Sequence, residues 1–151
     1  MSLVITRERF CAKLCEEITP LLKAQWEEIA NYREAIPLDV DFDAYRRFDE
    51  QGKLLMLMAR ERGLLIGYAI FFLLNTVHYK GSLFALNDVI YLRPEHRKGS
   101  AGLRLIREAE LSCMEAGVVK ISWHVKPTND MQKLLELRGY KVEEINLGKL
   151  L

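Results

Sequence analysis

The segment 87–107, NDVIYLRPEHRKGSAGLRLIR, concentrates the residues that could do chemistry. An apolar run ends at Leu92 and a short turn follows over 93–98. The small residues Gly99, Ser100, Ala101 and Gly102 then open a stretch that Leu105, Ile106, Ala109 and Cys113 mark as one apolar helical face. A helix N-terminus carries backbone N–H groups without intrahelical partners and a partial positive charge. Small residues let an anion come close to that backbone, so the arrangement suits a phosphate. The local charge agrees: Arg93, Arg97, Lys98, Arg104 and Arg107 stand against Glu95 alone. A glycine-containing turn on a solvated basic face is the competing reading. The stretch is not a P-loop, because no Gly-Lys-Ser/Thr follows at the required spacing, and it lacks the three-glycine dinucleotide pattern.

Other reactive residue types are sparse. Cys11 and Cys15 lie four residues apart and are expected on one helical face, with Cys113 far away in sequence. No third ligand lies near the pair, so they read as buried small apolar residues rather than a metal site. An odd, small set of cysteines is no disulfide framework and fits a reducing compartment. His78 and His96 fall in loops. His124 ends an apolar run after Trp123, where a histidine could titrate near neutrality or simply close a strand.

The elements that must position these residues follow from the periodicity. Phe10, Leu14, Ile18, Leu22, Trp26 and Ile29 recur at helical spacing over about 7–32, with Pro20 predicting one bent helix or two short ones. Residues 35–41 form a loop around Pro37, and 42–50 an amphipathic helix stopped by Gly52. Residues 54–60 and 64–74 read as a hairpin, 75–82 as a polar loop, and 83–92 as a third strand ended by Pro94. A helix over 102–116 capped by Gly117, a strand over 118–125, a helix over 129–138 opened by Asn129 with Gln132, and a strand over 140–147 complete the pattern. The expected class is mixed α/β (α+β), with a largely antiparallel central sheet flanked by helices and a β-α-β-α-β C-terminal half.

The stretch 90–102 (IYLRPEHRKGSAG) resembles the central motif of GNAT N-acetyltransferases, in which a strand ends in apolar-x-Pro and Arg/Gln-x-x-Gly-x-Gly/Ala leads into a helix. Arg97 takes the Arg/Gln place and Gly102 the last Gly/Ala place, while Ser100 stands where the first glycine is expected and Gly99 one residue early. The element order also matches from about Arg7 onward, with 3–6 as a short first strand, and Arg138-Gly139-Tyr140 resembles the family's closing Gly-Phe. The resemblance implies a fold of one domain over 1–151 and acetyl-CoA as cosubstrate. Backbone groups of Lys98, Gly99, Ser100, Ala101 and Gly102 would hold the pyrophosphate, with charge from Arg97 and Lys98. The strand end at Ile90, Tyr91 and Leu92 would pair with the pantetheine arm, and Asn129 (or Thr128) would add a polar contact.

The implied reaction is direct acetyl transfer to a primary amine. It requires loss of a proton from the amine, polarisation of the thioester oxygen and protonation of the departing thiolate. Asp88, six residues before Pro94, stands where family members often carry an acidic base. Asn87 beside it could orient water or substrate, and His124 could face the cleft. The family's thiolate-protonating tyrosine corresponds to Leu135 here, which leaves Tyr79, Tyr91 or solvent as the acid and raises the alternative of a catalytically weakened domain that binds CoA or a protein partner. Tyr140 falls at a structural aromatic place. Asp39, Asp41, Asp43, Asp49 and Glu50 would favour a cationic acceptor if they line its site, or simply solvate a helix cap.

Composition narrows the classes further. The chain has 151 residues, 50% hydrophobic and 28% charged, within the usual size of about 100–200 residues for one domain. Twenty-two basic residues against 21 acidic give a net charge of +1, which argues against a nucleic-acid partner. The longest apolar run, 64–74, is shorter than the roughly 20 residues of a membrane span, and 1–9 has no apolar signal core. A cytoplasmic protein without metal or membrane partner is expected, acting on a small-molecule or peptide amine. An exposed edge strand would permit a homodimer.

Overall fold

The computed structural model describes residues 2–127 and 130–151. In chain order the elements are β1 (Leu3–Glu8), α1 (Ala12–Ile29), α2 (Phe42–Glu50), β2 (Leu54–Glu61), β3 (Leu64–Leu74), β4 (Phe84–Leu92), α3 (Ala101–Glu115), β5 (Lys120–Ser122) and α4 (Met131–Leu137). One 3-10 turn, Pro94–His96, joins β4 to the approach of α3. The strands form an open sheet in the order β1-β2-β3-β4-β5. The first four are antiparallel to their neighbours, and β5 runs parallel to β4. The mixed, largely antiparallel class read from the sequence is the observed one.

Strands β2 and β3 are buried on both sides, so they read as continuous apolar runs rather than alternating ones. Leu14, Ile18, Leu21 and Leu22 of α1 pack with Met56, Met58, Tyr68 and Ile70 on one sheet face. Leu105, Ala109 and Cys113 of α3 pack with Leu55, Leu57, Ala69 and Phe71 on the other. The sheet is therefore the middle layer of three.

Several boundaries differ from expectation. α1 is one continuous helix with Pro20 inside it, and the Thr19 hydroxyl donates to the Cys15 carbonyl at 2.6 Å where the proline ring interrupts the ladder. Residues 7–8, expected in the helix, extend β1 against β2. Cys11 is exposed rather than buried: it is the N-cap of α1, its Sγ accepting from Leu14 N–H at 3.4 Å. The helix expected to open at Asn129 starts at Met131 with Asp130 as cap residue. The strand expected over 118–125 is only three residues long, because its ladder with β4 stops at Ser122. The strand expected over 140–147 has no regular structure. So short an edge strand offers little ladder to hold it, and Val142, Ile145 and Leu147 stay exposed. Tyr140 anchors the start of this segment on Glu110 (3.1 Å), and Lys120 of β5 pairs with Glu143 (2.8 Å).

Candidate functional site

The register of β4 against β3 builds the site. Ile70 pairs with Val89 but Phe71 pairs with Asn87, so Asp88 is an extra residue on β4, a β-bulge. Below the bulge Ala85 packs with the α3 face, and above it Val89 and Tyr91 pack with the α1 face. The bulge turns the Asp88 carboxylate toward the helices α1 and α2, where the Tyr45 hydroxyl donates to its Oδ2. Burial pushes the Asp88 carboxyl above its ordinary value, against the opposing pull of that hydrogen bond and of the nearby His124. Burial and the Asp88 charge push the Tyr45 hydroxyl up as well, so it stays protonated as the donor.

Asn87 is buried. Its Nδ2 donates to Ile70 O (3.2 Å) and Val89 O (3.0 Å), which braces the bulge, while its Oδ1 has no hydrogen-bond partner among the described residues. Trp123 stands edge-on to Phe71, ring centroids 4.9 Å apart, and its buried Nε1 is likewise without a partner. His124 follows, exposed, just past the point where β5 ends.

Beyond the bulge the outer edge of β4 is open, because β5 pairs only with Phe84, Ala85 and Leu86. Arg93 N–H donates to Ile66 O at 2.9 Å, and main-chain groups alternate in direction along an antiparallel pair. Those of Ile90 and Leu92 therefore point away from β3, toward the open edge. Two side chains confirm the direction: Gln25 Nε2 donates to Ile90 O (3.0 Å) and Arg97 Nε to Leu92 O (2.8 Å). Gln25 is buried and accepts from the Tyr68 hydroxyl at 2.6 Å, so its orientation is fixed.

This edge leads into the turn before α3. Gly99 sits at φ +95°, a conformation that side chains rarely adopt. Ser100 is the cap residue, with no hydrogen bond from its side chain to the helix. Lys98, Gly99 and Ser100 are exposed, and Ala101 and Gly102 half-buried. The first intrahelical bond runs from Arg104 N–H to Ser100 O, so the amides just before it are the helix's unpaired donors. A Cβ at Gly102 would meet only Leu134 Cδ2, at 3.3 Å. Arg97 is less free than the sequence implied. Its guanidinium forks onto Glu28 of α1 (2.6 and 2.7 Å) and lies 5.4 Å from the Tyr91 ring centroid. That hydrogen bond holds the Glu28 carboxyl below the usual range. Lys98 shows no such ion pair among the described residues and keeps the turn basic.

The structure thus brings Asp88, Asn87 and His124 to one place and lays Ile90, Leu92 and 98–102 along a path leading from it. Tyr91 turns its buried ring to the α1 face, and its main-chain groups, in phase with those of Arg93, face β3 rather than the open edge, so it adds nothing to that edge. Asn129 and Thr128 lie outside the described residues. Of the tyrosines considered as acids, Tyr79 is in the exposed loop against Phe84, away from the bulge. Leu135 is buried in the core. Sequence reasoning missed Tyr45, Gln25 and Glu28. For Tyr45 a signal existed: it lies on the apolar face of an amphipathic helix, and a buried tyrosine hydroxyl usually finds a partner.

The residues present fit acetyl-CoA on this chain's own features. The open edge offers amides to an extended chain bearing amide groups, the α3 terminus offers donors to a diphosphate, and Asn87 Oδ1, next in sequence to Asp88, has no partner among the described residues.

In solved structures the fold recurs in a ribosomal-protein-alanine N-acetyltransferase from Brucella melitensis biovar Abortus 2308 (18% identity, 99% of each chain, TM-score 0.71). It recurs in an aminoglycoside acetyltransferase from an uncultured soil metagenomic sample in complex with sisomicin (17% identity, 99% of this chain and 96% of that one, TM-score 0.71). It recurs again in a predicted acetyltransferase with acetyl-CoA from Clostridium acetobutylicum (14% identity, 97% and 96%, TM-score 0.70). No curated protein matches the chain significantly. The model of the acetyltransferase (GNAT) family matches residues 15–140, and with the bulged fourth strand and the glycine-opened third helix falling inside that span, the chain belongs to the GNAT acetyltransferase family.

Proposed function

We propose that this chain transfers the acetyl group of acetyl-CoA directly to a primary amine, with Asp88 as the base. The observation that carries the reading is the Asp88 carboxylate itself: bulged out of β4, held by Tyr45, and set where the open β4 edge begins. Family membership supports acetyl-CoA as the cosubstrate, whose thioester supplies the activated acetyl group. A solved structure with acetyl-CoA among the proteins of this fold is consistent with it.

Asp88 takes a proton from the acceptor ammonium, directly or through one water, leaving the nitrogen lone pair free. The raised proton affinity of Asp88 suits this task better than that of an ordinary surface carboxylate. In the balanced reaction the thioester C–S bond breaks, a C–N bond forms, and the acceptor nitrogen gives up two protons, one to Asp88 and on to solvent before the attack and one after it, which the leaving sulfur takes up as CoA thiol. Asn87 orients water or substrate through its Oδ1, and His124, near enough to act on the Asp88 carboxyl, is a second polar group of the site. The α3 terminus with Lys98 holds the diphosphate, Ile90 and Leu92 align the pantetheine, and Arg97 props the turn through Glu28 and Leu92 O. Three free cysteines support a reducing, cytoplasmic setting.

The test is a pair of measurements on the full chain. Acetyl-CoA at millimolar concentration raises the melting temperature, and thiol release in the presence of an amine panel exceeds the amine-free rate. Gly102→Glu, which sets a carboxylate among the unpaired amides, abolishes the melting shift. Absence of any shift in the wild type sinks the reading. A shift without thiol release across the panel would support the domain as a CoA binder that has lost turnover.

A further inference from the structure

We propose that the concavity between α2 and β3 is an acceptor subsite that takes one aromatic or branched aliphatic group, so that the acceptor is an apolar primary amine of small size rather than a polycation. The inference rests on the acetyl-transfer reading above for the reaction, but on separate observations for the specificity.

The concavity has a volume of about 280 Å³ and is lined by Val40, Asp41, Ala44, Tyr45, Phe48 and Phe72. Its walls are carbon almost throughout. Tyr45 stacks on Phe72 at a centroid separation of 6.1 Å and an interplanar angle of 15°, and Phe48 meets Phe72 edge-on at 5.1 Å. Phe48 is 38% exposed, so an aromatic face is offered at the opening. A cavity of about 150 Å³ suffices for benzene, so this hollow, open to solvent on one side, has room to seat one ring with its tether.

Position and charge then select the occupant. Tyr45 belongs to both sites: its ring is a wall of the concavity and its hydroxyl holds Asp88. A group seated against that ring, carrying an amine on a short tether, has the carboxylate as the buried anion within its neighbourhood, which suits an ammonium. Four of the five acidic residues that could have read a polycation are already engaged. Asp49 pairs with Arg9 (2.9 Å), and Arg46 takes both Asp43 (2.9 Å) and Glu50 (3.7 Å). Asp41 caps α2 through Ala44 N–H (2.9 Å) and lies 4.0 Å from Arg47. The acids of α2 and its cap are thereby mostly paired on their own surface around an apolar hollow, which favours an apolar group over a polycation at this place.

The experiment compares 2-phenylethylamine and isoamylamine with ethylamine and spermidine, using acetyl-CoA and thiol detection. Both apolar amines are expected to show kcat/KM at least about 10-fold above ethylamine and spermidine. Ala44→Trp, which fills the hollow, and Phe48→Ala, which removes a wall, each raise KM for 2-phenylethylamine about 10-fold, with circular dichroism checking the fold of both variants. Spermidine turned over as well as 2-phenylethylamine overturns the proposal, as does an unchanged KM in both folded variants. Binding of 2-phenylethylamine by NMR separates the two readings. Saturable shifts at Ala44 and Phe48 without turnover of any amine uphold the subsite and sink acetyl transfer. Turnover of amines without such shifts sinks the subsite alone.

Discussion

The Tyr45 hydroxyl donates its hydrogen bond to Asp88 Oδ2, joining the second helix to the bulge of the fourth strand. That bond stabilises the ionised carboxylate, while burial favours the protonated form. Removing the hydroxyl alone therefore raises the Asp88 pKa further. In Tyr45→Phe the ring and its packing on Phe72 remain, and the acid limb of kcat/KM moves to higher pH, because activity needs Asp88 unprotonated. A pH–rate profile with an unmoved acid limb would separate Tyr45 from the titrating group.

Asp88→Asn should be slow but sturdy. Loss of a positioned base costs about 10²–10⁴-fold in kcat/KM. A carboxyl whose folded pKa lies above its ordinary 3.8 binds more protons in the native than in the unfolded chain between those two pH values, so its ionisation works against stability as pH rises through that window. The neutral amide removes this opposition, and the melting temperature at neutral pH rises above that of the wild type, as is common when a functional group is sacrificed. Calorimetry with initial-rate kinetics on the same preparation checks both halves.

Arg60 ties three elements. Its guanidinium reaches Glu8 of β1 (2.8 Å) and Glu17 of α1 (2.5 Å) from β2, with all three side chains largely shielded. The hydrogen bond from Arg60 holds the Glu17 carboxyl below its ordinary 4.5. Its stabilising contribution is present above that value and fades as pH falls through the depressed one. Arg60→Met strands two carboxylates, and urea denaturation at neutral pH should register a loss of about 1–3 kcal/mol, partial exposure keeping it below the cost of a fully buried pair. The loss shrinks in acid.

Gly67 is fixed by a close approach. A Cβ there would lie 2.6 Å from the Tyr91 carbonyl oxygen and 3.1 Å from Leu92 Cα, both backbone. Gly67→Ala must push β4 away from β3 at the strand end where the open edge begins. A stability loss of about 1–3 kcal/mol is expected, together with weakened acetyl-CoA affinity by titration calorimetry.

The sequence made the sheet strands and the main helices legible because a helical period over 42–50 and an unbroken apolar run over 64–74, bounded by turn residues, are visible without tertiary information, and they coincide with α2 and β3. The glycine-opened helix is legible because a strand ending before a proline and small residues leaves few arrangements, whereas Asp88 is singled out through the resemblance to GNAT acetyltransferases. The sequence could not show the bulge, since one extra residue in a strand changes no local pattern and is defined only by the partner's register. The same limit hid Gln25 and Glu28, helix residues that act on β4 and its turn from 65 and 69 positions away. The strand expected over 140–147 alternates well enough in sequence, but pairing depends on an edge that ends after three residues.

The extra residue in β4 has one more consequence. Val89 and Tyr91 are claimed by one core and Ala85 and Ile90 by the other, whereas Asp88 belongs to neither. The position proposed as the base is thus released from the two apolar clusters that hold its neighbours. Its side chain can be exchanged by mutation without repacking either layer, so the choice of base can drift while the scaffold stays the same.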